Sequence, residues 1–140
     1  MSESNTPAFV DSNIWLYALI QGQDLLKAKR ANELIRTLGK TIISVQVVNE
    51  VSANLLKKAG FTEQEIRELV DSFYELHTVT PLTRDVLLDA SYVRERYRIS
   101  YWDSLIVASA RASNVLVIYS EDMHDGLVIE DDLTIMNPFK

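Results

Sequence analysis

The chain has 140 residues, 47% hydrophobic and 24% charged, which is average for a soluble globular domain and sized for one core rather than two. The absence of cysteine excludes thiolate zinc clusters, thiol catalysis and disulfide scaffolds and points to a reducing compartment; no apolar run approaches the roughly 18 residues of a membrane span, and Met1 to Pro7 lacks the pattern of a signal peptide, so a cytoplasmic location with no membrane is expected. A net charge of −6 excludes gripping nucleic acid by bulk positive charge, but not an enzyme that acts on nucleic acid through a few placed residues.

Residues 1–7 read as a flexible N-terminal segment and 8–140 as a single domain. Ala8-Phe9-Val10 is a short strand that ends at Asp11-Ser12-Asn13, and the run from Ile14 to Leu19 is helical. From Asp24 to Leu38 the apolar residues recur at three- and four-residue spacing, an amphipathic helix stopped by Gly39. Thr41 to Val45 is β-branched and short, a second strand, and Val47, Val48, Val51 and Leu55 trace the next helix. Thr62 with Glu65 forms a capping box ahead of a helix that runs to Leu76. Thr78-Val79-Thr80 is an edge strand before Pro81, Val86 to Tyr97 a helix, and Leu105 to Ala112 a helix apolar on nearly every side. Val115 to Tyr119 is a buried strand, and Leu133-Thr134-Ile135 adds a last short one. Strands alternating with longer helices predict a three-layer α/β/α sandwich around a short parallel central sheet.

Ligands of open parallel sheets bind at the carboxyl ends of the strands, where loops and helix N-termini converge. Asp11 follows the first strand, Glu50 lies one turn into the helix after the second, Asp103 opens the apolar helix, and Asp122 with Asp125 follows Val115–Tyr119. Each has a plain structural use: Asp11 can cap a helix, Ser100 to Asp103 fits a capping box, and Asp122 and Asp125 suit a loop. Glu50 beside a buried stripe is costly without a partner. No Lys or Arg lies within three residues of Asp11, Glu50, Asp103 or Asp122, so acids gathered at one end of the sheet call for a cation. All-oxygen ligands select Mg²⁺ or Mn²⁺, and the chemistry they support is hydrolysis of a phosphodiester.

These residues resemble a known family. Phe9-Val10-Asp11-Ser12-Asn13, Asn49-Glu50, Tyr101-Trp102-Asp103-Ser104-Leu105-Ile106 and Tyr119-Ser120-Glu121-Asp122 are similar, in order and separation, to the four acidic motifs of PIN-domain ribonucleases, and most of all to the VapC-type toxins of toxin–antitoxin pairs. The closing Asn137-Pro138-Phe139 is similar to one branch of that family. The resemblance implies an endoribonuclease that binds one or two Mg²⁺ or Mn²⁺ ions, cuts RNA, forms a homodimer and is inhibited by a cognate antitoxin protein. By position it makes Asp11, Glu50, Asp103 and Asp122 the catalytic, metal-binding acids, with Asn13 and Ser120 in support. Where many members carry a second Asp two residues after the fourth acid this chain has His124, with Asp125 following, so Asp122 alone or with Asp125 completes a second metal site.

Arg94, Arg96 and Arg98 interleave with Tyr92, Tyr97, Tyr101 and Trp102 just before Asp103, a pattern able to track a phosphate backbone and stack on unpaired bases. Lys27, Lys29, Arg30, Lys57 and Lys58 are further basic candidates, and the helices at 24–38 and 46–58 suit a groove for an amphipathic antitoxin segment. A phosphotransfer phosphatase would need an acid where Asn13 stands, and a phospho-receiver domain a Lys where Ser120-Glu121-Asp122 follows the late strand. A nonenzymatic PIN-like module that binds RNA or a protein partner is the remaining alternative; loss of a core acid would mark it, and none is lost.

Overall fold

The strands are too short to make a sheet without close registration, and in the computed structural model, which describes residues 7–20, 22 and 24–140, six of them pair. The expected flexible segment 1–7 lies, apart from Pro7, outside the described residues. The strands are β1 (Phe9–Val10), β2 (Ile42–Ser44), β3 (Thr78–Thr80), β4 (Val117–Tyr119), β5 (Val128–Ile129) and β6 (Leu133–Met136). Between them run α1 (Ser12–Leu19), α2 (Leu25–Leu38), α3 (Val45–Lys58), α4 (Glu63–Leu76), α5 (Arg84–Tyr97) and α6 (Tyr101–Ala112). The order across the sheet is β3-β2-β1-β4-β6-β5, parallel throughout except for β5 on β6.

The chain steps outward from β1 to β3 through α1 to α4 and returns to β4 through α5 and α6, an order that the right-handed rule for parallel crossovers assigns to opposite faces of the sheet. The packing agrees, with α1 against both α2 and α3, α3 against α4, and α5 against α6. The expected α/β/α layering is therefore present. Phe9, Val10, Ile43, Ile118 and Ile135 bury the middle of the sheet between these layers. His77 is structural: its Nδ1 accepts from the Thr41 backbone N–H (3.1 Å), and its ring meets Trp15 edge-on. No described helix is long and apolar enough to cross a membrane.

The helix signals read from the sequence act locally. Thr62 and Glu65 form the reciprocal box, and Asp24, Ser44, Thr83 and Ser100 each accept a backbone N–H of their helix's first turn. Several ends shift from the pattern: β2 stops at Ser44, with Val45 already opening α3, and α6 begins at Tyr101. The strand expected over 115–119 begins at Val117, because Asn114 takes a left-handed conformation (φ 59°) and Val115 N–H still donates to Ala110 O (3.4 Å), completing the turn out of α6. Strand β5 is not among the expected elements, although Leu127-Val128-Ile129 is an apolar run between Asp125-Gly126 and Glu130-Asp131. It folds back on β6 through Glu130 and Asp131, non-glycine residues at φ 50° and 68°, and α5 ties that turn down through Tyr92, Arg96 and Tyr97, all bonded to the Glu130 carboxylate.

The chain leaves β1 toward β2 on one side and reaches β4 on the other, so the sheet order reverses between β1 and β4. In parallel sheets that is where a crevice opens beyond the carboxyl ends.

Candidate active site

Asp11 stands at this crevice, one residue beyond β1. Its backbone N–H donates to the Tyr119 carbonyl at the end of β4 (3.0 Å), and its side chain caps α1, Oδ1 accepting the Ser12 N–H (2.7 Å). Capping alone would be the ordinary use of such a residue. Its other oxygen, however, accepts the Ser120 hydroxyl (2.8 Å) from the far end of the chain, and the residue is only 5% exposed. Asn13 joins the same junction: its Oδ1 accepts the Glu121 N–H (3.2 Å) and its Nδ2 donates to Ser120 Oγ (3.5 Å). Asn13 and Ser120 are thus bonded to each other, and Ser120 to Asp11.

Burial raises the Asp11 carboxyl from 3.8 to about 6; the Ser120 and Ser12 bonds oppose that rise, and the charges of Glu50 and Asp103 add to it. Glu50 reaches in from the second turn of α3, its Oε1 accepting the Ser12 hydroxyl (3.0 Å) and its Oε2 the Gln46 amide (3.3 Å). Ser12 therefore bridges the first two acids, a contact the sequence reading missed although the residue lies inside the first motif. Asp103 is half-buried in the first turn of α6, and its carboxyl is pushed up by burial and then by the charge of Asp122, with the Ser100 hydroxyl opposing. Asp122 is exposed in the turn after β4. The charges of Glu50 and Asp103 thus bear on Asp11, and that of Asp122 on Asp103.

Among the described residues, ion pairs engage Glu121, Glu130, Asp89 and Asp125 and leave these four acids without a cationic side chain. An all-oxygen set, with one member buried and held against its own charge, fits a hard divalent cation. No three carboxylates or imidazoles among the described residues stand close enough to enclose an ion by themselves.

Other expected residues are engaged differently. Asp125 is tied to the C-terminal segment, Oδ1 accepting the Asn137 N–H (2.8 Å) and Oδ2 lying 3.9 Å from Lys140 Nζ; no contact joins it to the acids. Arg96 is paired with Glu130 (2.9 Å) and braces the β5–β6 turn. Lys27 forms an ion pair with Glu121. Arg98 closes α5 in a left-handed conformation (φ 56°), with its side chain exposed. Arg94 reaches from α5 to α6, its guanidinium 4.3 Å from the Tyr101 ring centroid and its Nη1 donating to Ser104 Oγ (2.8 Å). Trp102 meets Tyr101 edge-on at 5.2 Å and is 58% exposed, which leaves an open aromatic pair in the first turn of α6, the turn that also carries Asp103.

A family model described as PIN domain matches residues 8–124. Among solved structures, the chain is similar to VapC20 of Mycobacterium tuberculosis, described as a sarcin–ricin-loop-cleaving toxin: 19% identity over 82% of this chain and 89% of that one, TM-score 0.68. It is also similar to a toxin–antitoxin complex from Klebsiella pneumoniae, at 16% identity over 95% of this chain and 98% of that one, TM-score 0.70. FitAcB from Neisseria gonorrhoeae matches at 16% identity over 94% and 98%, TM-score 0.70. At such identities the likeness establishes a shared fold. No curated protein matches the chain.

Proposed function

The chain belongs to the PIN-domain family, and from that premise we propose that it is an endoribonuclease dependent on Mg²⁺ or Mn²⁺, the toxin of a toxin–antitoxin pair. The observation that carries this reading is Asp11: a buried carboxylate held by Ser12 and Ser120, raised by its burial and by Glu50 and Asp103, with no cationic side chain to neutralise it. Asp11, Glu50, Asp103 and Asp122 are the residues that would hold the cation or cations. When bound, the cation would supply polarisation of the scissile phosphodiester, activation of the attacking water and stabilisation of the leaving oxygen.

The chain's own residues orient these groups. Ser120 and Ser12 fix both Asp11 oxygens, so the carboxylate cannot rotate away from the crevice. Ser12 and Gln46 hold Glu50. Asp103 sits in the first turn of α6, where the helix dipole favours its ionised form against the pull of burial. In the same turn, the Tyr101–Trp102 pair with Arg94 offers stacking and one positive charge to an unpaired stretch of RNA.

The antitoxin reading draws support from the Klebsiella pneumoniae relative, itself a toxin–antitoxin complex. Leu25 and Leu26, 77% and 71% exposed at the start of α2, supply apolar anchors for such a partner. The same proposal takes 8–140 as one nuclease unit that works as a cytoplasmic homodimer. The test is cleavage of an RNA pool by the purified chain. Cleavage with Mn²⁺ that stops in chelator and is lost in Asp11→Asn and Asp103→Asn is expected; equal cleavage in chelator refutes the mechanism.

A further inference from the structure

Glu121 stands between Ser120 and Asp122, yet its carboxylate is held by groups that belong to none of the acid motifs. Its Oε1 accepts the Tyr17 hydroxyl (2.7 Å), and its Oε2 pairs with Lys27 Nζ. The Lys27 ammonium lies 5.1 Å from the Tyr17 ring centroid and 5.5 Å from that of Phe139, and the two rings meet edge-on at 5.2 Å. Arg30 on the next turn of α2 donates to the Pro138 carbonyl (3.2 Å), which keeps the C-terminal segment over this cluster. From below, Asn13 accepts the Glu121 N–H (3.2 Å). The turn that presents Asp122 is therefore gripped on two sides by α1, α2 and the last residues of the chain.

We propose that Tyr17, Lys27 and Phe139 form a clamp on Glu121 that fixes the turn at 120–122 and sets where Asp122 stands opposite Asp103, making Glu121 a positioning residue for cation binding. The inference rests on the acid cluster's being a cation site. The chemistry favours a positioning role over a fourth or fifth ligand. A carboxylate already satisfied by an ammonium and a phenol is a poor donor to a metal, and a further free negative charge beside Asp122 would add repulsion that the cluster already carries.

The two roles predict opposite signs. If Lys27 merely sequesters a spare ligand, freeing Glu121 tightens cation binding; if it clamps the turn, freeing Glu121 weakens it. The experiment is Mn²⁺ titration calorimetry on the full chain, with the metal-free melting temperature measured alongside. Lys27→Met, Glu121→Gln and Phe139→Ala are each expected to weaken Mn²⁺ about tenfold, the scale of losing a residue that orients a ligand. Lys27→Met combined with Glu121→Gln is expected to be no weaker than either alone, since both break one contact, and Lys27→Arg to retain most of the affinity. Unchanged or tighter Mn²⁺ binding in Lys27→Met overturns the clamp, and if Asp11→Asn abolishes binding in the same series, the metal site survives without it. A loss of affinity matched in every variant by an equal loss of metal-free stability also overturns it, as general destabilisation. No Mn²⁺ binding by the unaltered chain overturns the metal reading and the clamp together.

Discussion

The Ser120 hydroxyl donates to Asp11 Oδ2 across 2.8 Å and joins the ends of two adjacent strands at the point where the sheet order reverses. Both residues are buried, so the bond is a charge-assisted one shielded from water. Hydrogen bonds to charged groups contribute about 1.5–3 kcal/mol. Ser120→Ala is therefore expected to lower stability by about that amount in urea unfolding at neutral pH, and to cut RNA cleavage by roughly ten- to a hundredfold through loss of the carboxylate's orientation. Ser120→Thr, which keeps the hydroxyl, is expected to retain most of both.

Asp11 makes the metal-free fold pH-sensitive in a definite direction. A carboxyl whose pKa is higher folded than unfolded binds more protons in the folded state, so its contribution to stability falls as pH rises through the window from 3.8 to about 6. At about 1.4 kcal/mol per pKa unit the full effect is about 3 kcal/mol. Asp11→Asn removes the titration, so its stability relative to the unaltered chain should climb across that window and level off above it, while cation binding is lost. Urea unfolding of both proteins in chelator between pH 4 and 8 reads the difference directly. A variant that is less stable at every pH, with no change across the window, contradicts the assignment.

A cation that binds only the folded chain reverses this cost by mass action. At a hundredfold excess over Kd the gain is about 2.7 kcal/mol. The rise in melting temperature with Mn²⁺ is expected to approach its full size only well above pH 6, where Asp11 is fully ionised, and to fade toward pH 4.5, because a protonated carboxyl does not ligate. A Mn²⁺ shift of equal size at both pH values would place the binding on other residues.

The parts of the molecule that obey local rules could be read from the chain. Thr62 and Glu65 announce a box with side chains three residues apart, and the box forms. The first acid could be placed because Asp11 follows a strand, and strand ends converge in a parallel sheet. What could not be read are contacts set by the packing of distant segments. Lys27 is paired with Glu121 across 94 residues of sequence, and nothing in the composition of α2 distinguishes it from Lys29 as an open basic residue. Arg96 reads as a phosphate contact until the turn after β5 brings Glu130 against it from 34 residues away. Asp125 looks like a ligand by proximity to Asp122, and the C-terminal Asn137 claims it.

That difference separates the arginines and aromatics before Asp103 into two groups with distinct consequences. Trp102 is 58% exposed in the turn that carries Asp103 and loses little on truncation of the free protein, so Trp102→Ala is expected to leave the melting temperature nearly unchanged. Stacking on one base contributes about 1–3 kcal/mol, and its loss should raise KM for RNA by roughly five- to a hundredfold with a smaller effect on kcat. Arg96 pairs with Glu130, whose carboxylate also accepts from Tyr92 and Tyr97, so Arg96→Ala acts on the β5–β6 turn rather than on substrate. Its KM is expected to stay within about twofold while the turn loosens, since an exposed ion pair contributes little to global stability but holds two left-handed residues in place. Steady-state kinetics on a short unpaired RNA, together with amide exchange at 130 and 131, separates the two. A KM rise in Arg96→Ala equal to that in Trp102→Ala would return Arg96 to the substrate surface.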